Sequence, residues 1–433
     1  MKTILIITYH FLKEEEIGSQ RVRGLYRNLP SFGWKPIVVT SSLTEYLPKD
    51  KLDYVYPLTS LHPFLKIKKI MGFPDNKGII NEISERYVPC SSVEKKNRFQ
   101  RIIIRCTEFL SFPDFSSYWV KPAIKQAEKL IMEQKIDLIF STYGPSGCHI
   151  VGSYLSQKYK IPWIADYRDL WCDNPVYSYS KARKKIESSY EEKILFSSDY
   201  ITTVSKPLIN QLKKRFNDKP IESIPNGFDE RILLNISKPE NFFSIVYTGR
   251  LYQGKQDPEP LFHVLSRLIK NRDISASDIR IYFYGDNDLW LIQMVNDYHL
   301  QDIVSFYGHV NRADALYAQK TAQILLLLTW NDPEQEGIIT GKVYEYLASG
   351  RPILAIGHNN EKDLKYLLEK TGTGVHVTSN ELLEKYLFNT YKEFISCGSV
   401  SYSGQEKEIM KYSHYEMTRN FVRIFSKIER ENT

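Results

Sequence analysis

This chain of 433 residues has no long apolar run: the longest, Ile324 to Leu328, is far short of the roughly 20 residues that span a bilayer. With a mean hydropathy of -0.37, that excludes a polytopic membrane protein. Ile4 to Ile7 is too short for the apolar core of a secretory signal, and His10 and Lys13 follow at once. The expected location is therefore cytoplasmic. Cysteine is scarce. Cys90, Cys106, Cys148, Cys172 and Cys397 are odd in number, widely scattered and never spaced Cys-x-x-Cys, so no disulfide framework, zinc site or thioredoxin-like pair is expected. Buried free thiols are the expectation. Also missing are the Gly-x-Gly-x-x-Gly dinucleotide fingerprint, a Walker A sequence, a repeat at a solenoid period and any low-complexity tract.

What is present is an ordinary globular composition, 42% hydrophobic and 25% charged, long enough for two or three domains of roughly 100–200 residues. A net charge of +7 favours anionic partners: phosphorylated substrates, an acidic membrane face or nucleic acid. The basic residues are spread along the chain with no recognised motif, so nucleic acid is not expected.

Short β-branched runs alternate with helical patterns. Lys2–Thr8 reads as a buried parallel strand, Ser19–Leu29 as a helix and Pro36–Thr40 as a second strand, a βαβ opening. Strands at Leu138–Ser141, Trp163–Ala165 and Tyr200–Val204 follow, with helices at Ala123–Gln134, His149–Tyr159 and Lys181–Phe196. Residues 43–115 break the rhythm and read as an insertion. A linker is expected over about Phe216–Asn241, rich in Pro and Asn-Gly. A second alternating series then runs through strands Phe243–Thr248, Ile279–Tyr284, Val304–Tyr307, Ile324–Leu328, Pro352–Ile356 and Gly374–Val377. Its helices fit Pro258–Lys270, Ala313–Ala318, Lys342–Ser349 and Asn380–Glu393. Tyr412–Glu429 closes the chain as an amphipathic helix. The expected fold class is α/β, with two doubly wound Rossmann-like domains. The first spans 1–225 and the second 226–411, with 412–433 after them. Such sheets take ligands at the carboxyl ends of their strands, and two of them facing place a cleft between.

Four segments sit where those ends would be. Glu16–Arg21, with Gly18, opens the first helix, where backbone amides suit an anion; an ordinary turn fits equally. Gly249-Arg250 and Lys255 bracket a strand-to-helix loop, where two cations suit a diphosphate; the alternative is solvated surface charge. Gly337 to Pro352 carries a polar loop, a helix from Gly341-Lys342, and Glu345 near its start, a carboxylate able to accept from a ribose diol or merely to suit the helix dipole. In Pro162–Trp171, Asp166 and Asp169 flank Arg168, either as charges in the cleft or as a structural ion pair.

Together these residues resemble retaining nucleotide-sugar glycosyltransferases of the GT-B fold, family 4, of the bacterial capsule, O-antigen and exopolysaccharide type. Asp137-Leu138-Ile139 with Pro145, His149 and Gly152 is similar to one family stretch. Pro162–Trp171 is similar to its PWxADxRDxW segment, and Pro225–Asp229 to its PNGxD linker. Gly249-Arg250 and Lys255 look like its donor-diphosphate loop. Gly341-Lys342, Glu345-Tyr346, Gly350 and Pro352 look like its ribose-binding helix.

The resemblance implies metal-independent sugar transfer with retention from a nucleotide-sugar, which is a substrate, so that no cofactor is expected. It also implies that 412–433 crosses back to the first domain. It implies donor contacts from Gly18, Gly249, Arg250, Lys255, Gly285, Gly341, Lys342 and Glu345. Relatives carry two glutamates separated by seven residues; here the first position is Gly337, and Glu336 lies one off. The sugar contact is therefore expected from the backbone of Gly337, Ile338, Ile339 and Thr340. Asp166 and His149 are expected to orient acceptor or sugar, with Arg250 and Lys255 stabilising the leaving group. Arg21, Arg168 and Asp169 are expected on the acceptor side.

The triplet Asp286-Asn287-Asp288 is read as part of a loop near the donor rather than a metal site. Leu65–Met71 and the run from Arg98 to Arg105 are basic and apolar together, which suits an anionic membrane carrying a lipid-linked acceptor; a solvated basic face or a core-facing helix fits equally. The same architecture also serves sugar-nucleotide epimerases, and a non-catalytic nucleotide-sugar-binding subunit is a further alternative.

Overall fold

The structure, a computed structural model, describes residues 1–14, 16–42, 52–59, 112–174, 180–233, 237–330, 340–357 and 361–431. Among the described residues, thirteen strands form two parallel sheets. The first contains β1 (Lys2–Ile7), β2 (Trp34–Ser42), β3 (Val55–Thr59), β4 (Leu138–Thr142), β5 (Trp163–Tyr167), β6 (Tyr200–Thr203) and β7 (Ile221–Ser223), in the order 3-2-1-4-5-6-7. The second contains β8 (Phe243–Thr248), β9 (Ile279–Tyr284), β10 (Val304–Gly308), β11 (Ile324–Leu328), β12 (Ile353–Ile356) and β13 (Gly374–Val377), in the order 10-9-8-11-12-13. Strand order reverses between β1 and β4 and again between β8 and β11. At such switch points neighbouring loops diverge and leave a crevice.

Both central strands are buried on two faces, which explains their unbroken apolar sequences. Ile4 to Ile7 and Ile324 to Leu326 expose none of their surface. Helices cover each face. Glu259–Lys270 buries Leu261, Phe262, Val264, Leu265 and Leu268 against the second sheet, and Ser117–Glu133 buries Trp119, Ala123, Ala127 and Leu130 against the first.

Three expectations are corrected. The linker begins later than expected, because Ile221–Ser223 pairs with β6 as the last strand of the first sheet. Part of the expected insertion belongs to the same sheet, since Val55–Thr59 pairs in parallel with β2. The rest of that insertion, with both basic apolar segments, Cys90 and Cys106, lies outside the described residues. Helices Lys206–Lys213, Leu289–Asp297 and Lys362–Thr371 were not expected. Cys148 and Cys172 are buried thiols, as expected, but Cys397 is exposed.

The closing helix, His414–Glu431, lies on the first sheet. Met417, Phe421, Ile424, Phe425 and Ile428 share one core with Ile4, Ile6, Val38 and Phe140. Phe421 meets Phe140 edge-on at 5.3 Å between ring centroids, and Phe425 meets Trp34 at 5.2 Å. The linker is stitched to its start: Phe228 donates its N–H to Tyr412 O at 3.0 Å, and His414 donates back to Phe228 O at 2.8 Å. The Phe228 side chain packs with Val343, Tyr344 and Leu347 of the second sheet's helix Gly341–Leu347.

Candidate active site

Around the carboxyl end of β8 the backbone itself makes the site. Gly249 has φ +104°, and its N–H donates to Tyr284 O at 2.6 Å. A Cβ on Gly285 would stand 2.3 Å from Gly249 O, so the loops after β8 and β9 touch backbone to backbone. Arg250 follows directly. Its Nε lies 3.1 Å from Asp286 Oδ2 and its guanidinium 5.4 Å from the Tyr252 ring centroid. The other Asp286 oxygen meets His309 Nε2 at 2.5 Å. Asp286 is thus engaged with two side chains, and among the described residues no group of three or more His, Cys, Asp or Glu gathers as a metal site would require. Lys255, half-buried, closes the loop through its N–H on Tyr252 O at 2.9 Å.

The helix Gly341–Leu347 brings a third cation. Lys342 Nζ sits 3.7 Å from the Tyr247 ring centroid and 3.1 Å from where a Gly249 Cβ would be. Burial pushes its ammonium down to about 7, against the opposing pull of Glu345. Glu345 accepts from Arg312 Nη1 at 2.5 Å and, over a longer contact, from Gln319 Nε2 at 3.5 Å. Gln319 Nε2 also donates to Thr248 Oγ1 at 2.9 Å, and the Thr248 N–H donates to Tyr346 OH at 3.0 Å. These bonds tie the helix to the end of β8. Gly249, Arg250, Gly285, Lys342 and Glu345 are therefore brought together, with Lys255 in the same loop and Thr340 and Gly341 at the helix start. Gly337, Ile338 and Ile339 lie outside the described residues.

At the β1/β4 switch point a second group assembles. Arg168 donates from Nε to Tyr143 O at 2.8 Å and from Nη2 to Gly144 O at 3.2 Å. A Cβ on Gly18 would lie 2.5 Å from Arg168 Nη1, so the guanidinium occupies the room that glycine leaves. Asp169 is exposed, 3.8 Å from Arg168 Nε. His10 Nδ1 and Glu16 Oε2 lie 2.8 Å apart near the same opening.

Three expected site residues are enclosed in the structure. Asp166 is fully buried, and both its oxygens are taken: Oδ2 by Arg21 Nε and Thr142 Oγ1, each at 2.9 Å, and Oδ1 by Arg21 Nη2 at 2.8 Å and Thr202 Oγ1 at 2.7 Å. Arg21, only 3% exposed, spends Nη1 on Ile224 O at 2.9 Å and Pro225 O at 3.1 Å, so it joins β5 to the linker. His149 has no exposed surface and its Nδ1 lies 2.8 Å from Ser141 Oγ, which accepts from Trp163 Nε1. Burial pushes its imidazole down to about 3, although Asp166 pulls it up, so it stays neutral in the core. Conversely, Arg312 and Gln319 were missed. Arg312 carried the same signal as Arg250, a cation just past a strand's carboxyl end.

Residues 85–231 match the Glycosyltransferase Family 4 family, and residues 243–387 match Glycosyl transferases group 1. The chain belongs to glycosyltransferase family 4. Among solved structures it is similar to sucrose-phosphate synthase from Thermosynechococcus elongatus, at 15% identity, with all of both chains covered and a TM-score of 0.63. It is similar to HepE of Anabaena in complex with UDP, at 14% identity, with 99% of this chain and 100% of that one covered and a TM-score of 0.57. It is also similar to the lipopolysaccharide outer core galactosyltransferase WaaB, at 14% identity, with 98% and 99% covered and a TM-score of 0.57. No curated protein sequence matches. The fold is GT-B, and this family 4 protein is a retaining glycosyltransferase that uses a nucleotide-sugar donor. The epimerase and binding-subunit alternatives fall away. No helix among the described residues is long and apolar enough to cross a membrane.

Proposed function

We propose that this glycosyltransferase moves a sugar to a glycan or polyprenyl-diphosphate-linked acceptor in bacterial surface polysaccharide assembly. It works in the cytoplasm at the inner face of the membrane. Residues 226–411 hold the donor, residues 1–225 face the acceptor, and 412–433 cross back. The carrying observation is the meeting of Gly249, Arg250, Gly285 and Lys342 at the β8/β11 switch point. Arg250, Lys255 and Lys342 hold the donor diphosphate, and Glu345 holds the ribose. Arg168 and Asp169, beside Gly18, face the acceptor. The lipopolysaccharide role of WaaB and the basic apolar segments Leu65–Met71 and Arg98–Arg105 support the choice of acceptor and of membrane.

The acceptor oxygen attacks the anomeric carbon on the face from which the diphosphate leaves. The sugar–phosphate C–O bond breaks, and the departing phosphate oxygen takes the acceptor's proton. Negative charge grows on the diphosphate, and the three cations stabilise it where it grows. No protein nucleophile is required, which suits a chain whose Asp166 and His149 are both enclosed. Arg250→Ala and Lys255→Ala should each lower turnover about a hundredfold, or about 3 kcal/mol in the transition state, with the fold intact by circular dichroism. Wild-type rates in both variants refute the reading.

A further inference from the structure

Glu345 does not stand alone. Helix Arg312–Thr321 sends two side chains to it, Arg312 from its first turn and Gln319 from its last. The helix is held in register by its cap, where Asn311 Oδ1 accepts from the Asp314 N–H at 2.9 Å. Gln319 is anchored in turn on Thr248 Oγ1, at the end of the strand that leads into the Gly249–Arg250 loop. Arg312 and Glu345 keep 21% and 22% of their side-chain surface, so the pair is partly covered but still open to a ligand. The charged groups near it are Arg312 and, three residues earlier on its own helix, Lys342.

This geometry has a chemical consequence. A free glutamate on a helix surface samples several rotamers, and ordering it on binding costs affinity. Here one oxygen is held by a charge-assisted bond to Arg312, with the Gln319 amide in longer contact at 3.5 Å with the other, which narrows the rotamers open to the carboxylate. Each oxygen still has a lone pair to offer, and two fixed acceptors suit two vicinal hydroxyls. We propose that Arg312 is a positioning residue for nucleotide recognition: it orients Glu345 toward the ribose diol of the donor. The inference rests on the reading that Glu345 holds that ribose. Arg312 acts on the nucleoside half of the donor and not on the diphosphate.

The test measures dissociation constants by calorimetry. The ligands are UDP, GDP and ADP, the 2′,3′-dideoxy form of the tightest binder, and inorganic pyrophosphate, which has neither base nor ribose. The proteins are wild type, Arg312→Ala, Arg312→Lys, Glu345→Gln and the Arg312→Ala, Glu345→Gln double variant, each checked for fold by circular dichroism. Arg312→Ala should weaken the ribose-bearing nucleotide about tenfold and leave the dideoxy form and pyrophosphate within about twofold. Arg312→Lys should recover part of the loss. In the Glu345→Gln background, Arg312→Ala should have little further effect, because its partner's charge is already gone.

The inference is overturned if Arg312→Ala leaves the ribose-bearing nucleotide unchanged, weakens the dideoxy form equally, or has its full effect without Glu345. The underlying reading fails separately, and in a distinguishable way, if Glu345→Gln itself spares the ribose-bearing nucleotide while Arg250→Ala still loses pyrophosphate. Should none of the three nucleotides bind the wild type, the donor reading falls with it.

Discussion

Asp166 and Arg21 are two charges taken out of water together. Such a pair is tolerable only when every lone pair and N–H is used, and here the two threonines and the linker carbonyls use them. Removing one partner strands the other. Asp166→Ala should destabilise the fold by about 3–5 kcal/mol, read as a lowered urea midpoint. If instead turnover vanishes while the midpoint holds, the carboxylate is catalytic after all. The histidines make a second residue-scale case. Burial pushes His149 down to about 3 and His414 to about 4, below the usual 6.5 of an unfolded chain. Between those values the unfolded chain binds more protons, so stability is complete above pH 6.5 and is lost as pH falls toward 4 for His414 and toward 3 for His149. The slope contributed is at most about 1.4 kcal/mol per pH unit for each histidine. Replacing His149 with Gln should flatten the acid limb of a stability–pH curve; an unchanged limb refutes the account.

Helices and strands carried much of the sequence signal, and their failures share a cause. Central strands such as Ile324–Leu328 are apolar on both faces and cannot be mistaken for turns. Edge strands Val55–Thr59 and Ile221–Ser223 are short and half-covered, so their patterns drown in the loops around them. Asp166 looked like a cleft charge because it stands at a strand end. Its partner Arg21 is distant in sequence, and no local pattern reports such a pairing. The loop Gly249–Lys255 was legible because its glycines and cations are local. Its working geometry was not, because it depends on the contact between Gly285 and Gly249. That contact makes an element-scale prediction. Gly285→Ala puts a methyl against Gly249 O, and the loop carrying Arg250 must move. Donor or pyrophosphate affinity should fall at least tenfold, with a smaller loss of thermal stability. Unaltered affinity means that the two loops yield without cost.

For the molecule as a whole, the last helix of the chain completes the first sheet's core. Phe421 has no exposed surface and touches Phe140 while the Arg21 guanidinium lies 4.9 Å from its ring centroid. The same helix begins where the linker's Phe228 is clasped between Tyr412 and His414. A chain that leaves the first sheet, builds the second and returns binds the stability of the two together. Burying a phenylalanine and then deleting it leaves a cavity as well as a lost transfer energy, so Phe421→Ala should cost about 3–5 kcal/mol. Trp34, Trp119, Trp163 and Trp171 lie on the first sheet's side and Trp290 and Trp330 on the second's, so tryptophan fluorescence weighs the first sheet most heavily. Denaturation followed by fluorescence should shift to lower denaturant. The shift should be shared by far-ultraviolet circular dichroism, which reports both sheets. Pyrophosphate affinity in native buffer should stay within about twofold, because the loop Gly249–Lys255 proposed to hold it is not touched. If the fluorescence midpoint moves while circular dichroism keeps a separate, unshifted transition, the second sheet is stable without the returning helix, and the coupling argued here is wrong.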